Sequence, residues 1–355
     1  MYPRVSIDLE KLKFNCLKMI EYSKNNGIDY IMPVIKVLAG DKKIASIFDE
    51  CGFDYIGDSR IKNLKLYHRL RAKKYLVRIP SLSEVKDVVK YANLSLNSEL
   101  ETIKALNLEA ERQNKKHEII LMFDLGDLRE GFYYSYEHNK NIKEILELEN
   151  IILKGIGTNL TCYGGLIPSF DILNRLVEIK NNIEDYFQIS LDFISGGNSS
   201  SLYLFGKNQI PKDINSLRIG EGIFFGKETA YSTDIDGFYH DIFTLQAEII
   251  ECKTKPSFPD GETSINSFGE KTYIEDKGLM KRAILAVGKQ DVILENLKPR
   301  DNELEIIGGS SDHLIINLNN TSYKIGDIIE FDLNYPGLLH LMNSPYVKRH
   351  YKKKP

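Results

Sequence analysis

Cysteines are few in this sequence, and no two of them are neighbours. Only Cys16, Cys51, Cys162 and Cys252 occur, and none forms the CxxC pair of a zinc ribbon or a redox motif. The sequence therefore predicts neither a disulfide framework nor a zinc site built on paired cysteines. We expect a protein of a reducing compartment, namely the cytoplasm.

Long apolar runs and a strong charge of one sign are also missing. No run approaches the ~18 apolar residues of a membrane span, and residues 1–8 lack the apolar core of a signal segment. The net charge is −3, which gives no reason to expect nucleic acid or an anionic membrane as a partner. Residues 348–355 are rich in lysine and are predicted to be a solvated tail.

Short apolar runs alternate with longer amphipathic stretches between about residues 29 and 226. The apolar runs are eight candidate strands: Tyr30–Val37, Tyr55–Gly57, Tyr75–Ile79, Leu94–Asn97, Ile119–Leu125, Leu153–Thr158, Leu191–Ser195 and Leu217–Ile219. A polar residue suited to a helix start follows each of the first four strands: Asp41, Ser59, Ser83 and Ser98. This alternation predicts an α/β fold, a (β/α)8 barrel of the TIM type, with a doubly wound open sheet as the alternative.

The pattern changes after about residue 230. Candidate strands with little helical periodicity between them follow: Thr244–Glu251, Arg282–Val287, Glu305–Ile307, Leu314–Leu318 and Ile328–Leu333. The stretch Cys252–Gly278 is predicted to be a long loop or a pair of irregular strands. We predict a barrel domain at residues 9–230 and a smaller, mostly β domain at residues 231–355, with which residues 1–8 pair.

Lys36 lies at the end of the first apolar run, which is typical of a buried parallel strand. A lysine in that place loses hydration, and one function that uses this is a nucleophilic amine whose pKa is lowered by burial and which forms a Schiff base. The alternative is a lysine whose ammonium reaches back to solvent.

Two glycine-rich turns follow the last two barrel strands. In TIM barrels the active site lies at the carboxyl ends of the strands, and phosphate is often bound after strands seven and eight. Strand seven leads into residues 195–201 (SGGNSSS), and strand eight ends in residues 217–222 (LRIGEG). Backbone amides, hydroxyls and helix starts suit a phosphate. Together with Lys36, these turns indicate pyridoxal 5′-phosphate as a cofactor.

Arg129 follows the fifth strand, within Asp124–Gly131. It is a candidate for binding a carboxylate or a phenolate oxygen. The alternative is a surface arginine paired with Asp127 or Glu130.

The whole pattern resembles the alanine racemase fold type of pyridoxal-phosphate enzymes, a barrel followed by a β domain. Four stretches are most similar to the branch of that family that acts on ornithine: Asp124–Gly131, Gly155–Gly165, Ile194–Leu202 and Arg218–Tyr231. The resemblance covers Pro3 to about Lys348. It implies a cytoplasmic homodimer with shared active sites and a two-base exchange of the Cα proton between L- and D-ornithine.

The resemblance also implies roles for single residues. Lys36 matches the Schiff-base lysine, which also acts as one base, and Arg218 matches the arginine that donates to the pyridine nitrogen. Arg129 matches the arginine near the phenolic oxygen and the substrate carboxylate. The remaining cofactor-binding candidates lie in the turns after the barrel strands and in the C-terminal domain: Asn159, Asn198, Ser199, Gly220 and Tyr335.

Arg218 has a chemical consequence of its own. An arginine stays charged and can only donate, so a pyridine nitrogen beside it remains unprotonated and the ring is a weaker electron sink. Return of the proton to Cα is then favoured over transamination.

The sequence departs from alanine racemases at three places. Phe268 stands where the family has the tyrosine that serves as the opposite base, so the second base is open; Lys289, His313 and Cys162 are the candidates. Asn159 replaces a histidine behind the pyridine-side arginine, so we expect Arg218 to be held less rigidly. Residues 37–40 (VLAG) lack a phosphate-binding tyrosine. These losses favour a substrate other than alanine.

A cationic substrate such as ornithine requires an acidic partner, because an ammonium buried without one is costly. The candidate carboxylates are Asp127, Glu130, Glu221, Asp291 and Asp312, and Asp312 and Arg129 are taken as substrate residues. The alternatives are a racemase of alanine, lysine or another amino acid, a D-amino-acid lyase or aldolase, and a non-catalytic carrier of the cofactor. No metal site is predicted, since Ile315–Asn320, shortly after His313, offer no second His or Cys ligand.

Overall fold

The protein is described by a computed structural model that covers residues 1–266, 268–269, 271 and 274–352. It divides into two compact units. One runs from Glu10 to His240, and the other combines Met1–Leu9 with the chain from Asp241 onward. The strand β1 (Arg4–Ile7) belongs to the second unit.

The first unit is a parallel barrel. Its strands are β2 (Tyr30–Pro33), β3 (Tyr55–Asp58), β4 (Lys73–Leu76), β5 (Leu94–Asn97), β6 (His117–Asp124), β8 (Ile151–Gly157), β9 (Phe193–Ser195) and β10 (Ser216–Ile219), with the short β7 (Phe132–Tyr133) beside β6. Its helices are α1 (Leu9–Lys24), α2 (Lys42–Glu50), α3 (Ile61–Leu66), α4 (Val85–Tyr91), α5 (Leu100–Arg112), α6 (Asn139–Leu146), α7 (Phe170–Phe187) and α8 (Glu221–Phe225). The predicted (β/α)8 barrel is confirmed.

The barrel closes between its first two strands. A parallel bridge joins Val34 to Gly57, and the Ile35 N–H donates to the Gly57 carbonyl at 2.8 Å. A Cβ on Gly57 would lie 2.8 Å from a methyl of Val77, so only glycine fits this seam. The closure places the carboxyl ends of all eight strands at one mouth.

Large apolar side chains fill the barrel interior. They form one buried cluster: Met32, Tyr55, Tyr75, Leu94, Leu96, Ile120, Met122 and Phe193. Aromatic and branched side chains from successive strands fill the barrel as a packed core, so it is no pore. The polar site is therefore confined to the strand ends and the loops above them.

The second unit is antiparallel for the most part. Its strands are β1, β11 (Phe243–Pro256), β12 (Leu279–Leu285), β13 (Leu297–Pro299), β14 (Glu305–Gly309), β15 (Leu314–Asn317), β16 (Ile328–Leu333) and β17 (Lys348–Tyr351), and it carries the helix α9 (Tyr335–Asn343). The strand β1 runs antiparallel to β11 and parallel to β17, with Ile7 opposite Phe243 and Tyr351. The mostly β C-terminal domain is confirmed as a fold class.

Several details differ from the expectations. The prediction of a solvated tail was wrong for Lys348–Tyr351, which form the edge strand β17 beside β1, while residues 353–355 lie outside the described residues. The first barrel strand ends at Pro33, and Lys36 begins a 3₁₀ turn instead of ending the strand. The division between the units falls at His240, beyond the expected residue 230, because the intervening chain returns to the barrel, where Asn15 accepts from the Tyr239 N–H at 2.9 Å.

We predict that Gly155→Ala destabilises the barrel by ~3 kcal/mol or more. A Cβ on Gly155 would lie 2.0 Å from the carbonyl oxygen of Phe193, so β8 and β9 would have to separate. Urea unfolding followed by fluorescence or circular dichroism measures the change. Gly206→Ala is the control: it shares the introduced methyl but has open space around it and only a positive φ of 74°, for which ~1 kcal/mol is expected. Equal midpoints for the two variants would contradict the packing argument.

Candidate active site

Most of the predicted site residues gather at the carboxyl ends of the barrel strands. Arg218 lies in β10 opposite Met32 of β2, and Lys36 follows β2. The other barrel candidates lie just after their strands: Arg129 after β6, Asn159 after β8, and Asn198, Ser199 and Gly220 after β9 and β10. Residues far apart in the sequence therefore share one mouth.

The Arg218 side chain is buried, with 3% of its surface exposed. Its guanidinium donates to Ser195 Oγ at 2.5 Å, to Asn159 Oδ1 at 2.8 Å and to the Thr158 carbonyl. These bonds use three of its five N–H donors. A Cβ on Gly157 would lie 3.2 Å from Nη1, so glycine leaves room for the guanidinium. Arg218 is thus a fixed donor with capacity left for a ligand.

Glu130 connects the two arginines of the mouth. Its carboxylate accepts from Arg129 Nη2 at 2.7 Å and from Arg129 Nε, and its Oε1 also accepts from Asn159 Nδ2. Because Asn159 in turn accepts from Arg218, the four side chains form one hydrogen-bonded chain. Asn159 therefore bonds Arg218 directly, and the expectation that it holds Arg218 less rigidly than a histidine would stays a prediction; the alternative pairing of Arg129 with Glu130 is found.

Lys36 lies close to several charged or ionisable groups. Burial lowers the pKa of its ammonium, and the Arg129 cation lowers it further; Cys162, Asp58 and Glu130 act in the opposite direction. The side chain still reaches solvent at the mouth. A lowered pKa increases the fraction of neutral amine near pH 7, which is the nucleophilic and basic form.

Asp58 is a site residue that the sequence reasoning missed. It ends β3 fully buried and accepts from the Arg60 N–H at 2.9 Å and from Asn63 Nδ2 at 3.1 Å. Burial raises its pKa to about 6, although these hydrogen bonds and the Lys36 cation oppose the rise. The available signal was an acidic residue directly after the apolar run Tyr55–Gly57.

The turns after β9 and β10 are bonded to each other. Ser199 Oγ accepts from the Gly222 N–H at 3.1 Å, and Asn198 Oδ1 accepts from the Ser200 N–H at 2.9 Å. A Cβ on Gly220 would lie 3.0 Å from the Val34 carbonyl, so this turn is kept free of a side chain. Two short helices begin here, and the first N–H groups of a helix lack intrahelical partners. The arrangement suits an anion.

Cys162 lies at the same mouth and is exposed. Its Sγ is 3.3 Å from the Leu160 carbonyl and 3.3 Å from Asn198 Nδ2. Although the residue as a whole is exposed, neighbouring atoms desolvate its thiol and raise the pKa of that group, while the Arg129 cation acts against this. The protonated thiol therefore dominates at neutral pH, and such a group can give a proton more readily than it takes one.

The second-base candidates of the β domain lie on adjoining turns. Lys289 Nζ lies 4.3 Å from the centroid of the Phe268 ring, and the Lys289 N–H donates to the Ser310 carbonyl at 2.9 Å. His313 Nδ1 lies 3.3 Å from Asp312 Oδ1. Tyr335 begins α9. Ser267, next to Phe268, lies outside the described residues.

Four of the five acidic candidates for a substrate ammonium already have partners in the fold, Asp312 among them through Ser310 Oγ and Ser311 Oγ. Asp127 is buried and accepts the backbone N–H groups of Cys162, Tyr163 and Leu166. Asp291 accepts from Ser344 Oγ at 2.6 Å, and Glu130 holds Arg129. Glu221 is half-buried, and burial raises its pKa; Asp312 is exposed beside His313.

Among the residues described, no group of three or more His, Cys, Asp and Glu side chains could hold a metal ion. Nor does any helix of the described part of the chain have the length and apolarity to cross a membrane.

Comparison with known proteins gives consistent matches. The model of the alanine racemase N-terminal domain matches residues 7–228. Ornithine racemase of Acetoanaerobium sticklandii is 49% identical over 98% of this chain and 99% of its own, and lysine racemase of Thermotoga maritima is 35% identical over 99% of both. The structure of Bartonella henselae alanine racemase with covalently bound pyridoxal phosphate superposes with a TM-score of 0.75 at 16% identity, over 99% of this chain and 100% of the other.

We predict that Arg129→Met raises the pKa of Lys36. The Arg129 cation disfavours the ammonium form of Lys36, and its loss also leaves the Glu130 carboxylate unpaired, which favours that form. The rate at which a lysine-reactive aldehyde labels Lys36, followed by mass spectrometry across pH, should shift to higher pH. Arg112→Met, on the exposed end of α5, serves as the control. An unchanged or lower midpoint in Arg129→Met would refute the assignment.

Proposed function

This chain belongs to the alanine racemase family, and we propose that it interconverts L- and D-ornithine with pyridoxal 5′-phosphate as cofactor. The observation that carries the proposal is the pairing of β2 with β10, which brings Lys36 and the buried Arg218 to one barrel mouth. The ornithine racemase that is 49% identical over nearly the whole chain supports the choice of substrate.

The residues present fit this cofactor. Lys36 would bond its aldehyde carbon, and Arg218 would use a remaining N–H donor toward the pyridine nitrogen. Ser199, Asn198 and the open turn at Gly220 would hold the phosphate, and the resemblance adds Tyr335 as a phosphate-binding residue. When bound, the cofactor accepts part of the electron pair that remains on Cα after the proton leaves.

Arg218 controls the direction of the chemistry. The positive charge of its guanidinium is fixed, and its N–H groups donate to oxygens of Ser195, Thr158 and Asn159. It can therefore only donate to a ring nitrogen and cannot protonate it. Electron density then stays closer to Cα, and the proton returns there, as racemisation requires.

Lys36 takes or returns the proton on one face of Cα. Its amine, when not bonded to the cofactor, would act as a general base, and its lowered pKa increases the neutral fraction that can accept the proton. For the other face, Lys289 and His313 of the β domain and Cys162 of the barrel are the candidates. The raised pKa of Cys162 favours it least as a base.

We propose that the active unit is a homodimer of the cytoplasm. The resemblance implies an active site that combines the barrel of one subunit with the β domain of a second. The second base would then come from the partner copy. Four free cysteines support a reducing compartment.

Lysine is the second candidate substrate, since the lysine racemase of Thermotoga maritima is 35% identical over nearly the whole chain. Lysine differs from ornithine by one methylene, and such a difference is worth only ~10- to 200-fold in discrimination. Exchange rates on the two substrates must therefore be compared directly.

We predict that the wild-type protein, loaded with pyridoxal phosphate in D₂O, incorporates α-deuterium and loses optical rotation fastest on ornithine. Lys36→Ala should lose both activities and the long-wavelength absorbance of lysine-bound cofactor, because its amine forms that bond. Lys42→Ala, on the exposed start of α2, is the control. Full activity of Lys36→Ala would sink the assignment of Lys36; fastest exchange on lysine would keep the racemase and change its substrate.

We predict that Arg218→Glu increases side transamination. A carboxylate in that place would keep the ring nitrogen protonated and draw electrons from Cα, so more 2-oxo acid should be released per racemisation event. The ratio is measured by chromatography of the products, with circular dichroism to verify folding. A product ratio equal to that of the wild type in folded protein would argue against the electronic role of Arg218.

A further inference from the structure

The carboxylate of Glu130 lies between the two arginines of the mouth. Its Oε1 accepts from Arg129 Nη2 at 2.7 Å and from Asn159 Nδ2, and its Oε2 accepts from Arg129 Nε. Both oxygens are therefore engaged, and the pair with Arg129 is bidentate, the strongest geometry for such a contact. Glu130 is in consequence poorly suited to receive the distal ammonium of a substrate.

Asn159 carries the effect of Glu130 to Arg218. Its side chain is largely buried, with 8% exposed; its amide nitrogen donates to Glu130, and its oxygen accepts from Arg218 Nη2 at 2.8 Å. The side-chain amide of an asparagine can adopt two orientations that exchange its oxygen and its NH2 group. A carboxylate on one side and a guanidinium on the other allow only one orientation, so Glu130 decides which end of Asn159 faces Arg218.

The positive charges at the mouth also make Glu130 important. Arg129, Arg218 and Lys36 bring three cations to a partly desolvated mouth, and Arg129 alone already lowers the pKa of Lys36. Removing one partner of a buried or half-buried pair leaves an uncompensated charge. Glu130, with 21% of its side chain exposed against 39% for Arg129, is the carboxylate bonded directly to this group.

We propose that Glu130 is the positioning residue of the site, which orients Arg129 directly and Arg218 through Asn159. The inference rests on the proposed function, because both arginines are assigned to the same cofactor, Arg218 to its pyridine nitrogen and Arg129 to its phenolic oxygen. Glu130 itself touches neither reacting atom. Its removal should disturb substrate binding through Arg129 and the partition between racemisation and transamination through Arg218.

Three variants, Glu130→Gln, Asn159→Ala and the double variant, separate the effect through Arg129 from the effect through Arg218. Glu130→Gln should raise KM and increase the 2-oxo acid released per racemisation, each by about tenfold, the size expected for a lost charge-assisted hydrogen bond. Asn159→Ala should increase the 2-oxo acid fraction with little change in KM, since the Arg129–Glu130 pair stays intact. The double variant should release no more 2-oxo acid than Asn159→Ala alone, because both changes break one path.

Glu84→Gln is the matched control. Glu84 forms another Glu–Arg pair of the barrel, with Arg78 Nη2 at 2.5 Å, but it does not belong to the chain that ends at Arg218. It should leave KM and the product ratio unchanged. Thermal unfolding and the absorbance of lysine-bound cofactor verify folding and loading in every variant.

The outcomes are distinguishable from failure of the proposed function. If wild-type protein forms no lysine-bound cofactor or exchanges no α-proton, the proposed function fails. If wild type does both while Glu130→Gln keeps the wild-type KM and product ratio, only the positioning role is refuted. Additive effects in the double variant would likewise overturn the path through Asn159. Should Glu130→Gln fail to fold, the unchanged product ratio of folded Asn159→Ala would still refute that path.

Discussion

A buried guanidinium that must be satisfied by oxygens from several strands is the constraint on which this site depends. Arg218 is almost fully enclosed, and a charge in that position is tolerated only with near-complete hydrogen bonding. Its acceptors come from the end of β9 and from the two residues that follow β8. The barrel register brings these oxygens together, and the glycine at position 157 leaves room for the guanidinium.

The opposite requirement applies to Lys36, whose function depends on being uncharged. Desolvation and a neighbouring guanidinium lower its pKa, while nearby acidic groups limit the change. Asp58 is the most deeply buried of these groups, and its own pKa of about 6 means that it gains charge as the pH approaches neutrality. The mouth thus combines a permanently charged arginine with a lysine whose pKa is lowered by burial and by the Arg129 cation.

The sequence was sufficient for the parts of the molecule that are encoded locally. Apolar runs that alternate with amphipathic stretches indicated the barrel, which is confirmed, whereas the anion site in the glycine-rich turns and the role of Lys36 stay predictions. It was insufficient where partners are distant in the chain. The contacts of Glu130 with Asn159, and of Asn159 with Arg218, span 29 and 59 residues, and nothing local in either stretch signals them. The same holds for β17, whose lysine-rich sequence is typical of a tail and becomes a strand only because β1 is available.

The place of β1 has a consequence for synthesis. Residues 10–240 are an insertion into the β domain, because Ile7 pairs with Phe243 and Tyr351. At ribosomal rates of ~5–20 residues per second, β1 waits on the order of tens of seconds for its first partner strand and longer for the second. During that interval the entire barrel emerges and can fold, whereas the β domain cannot. The connectivity of the chain therefore sets the order in which the two units can fold. The barrel can be complete before the β domain, although the β domain contains β1.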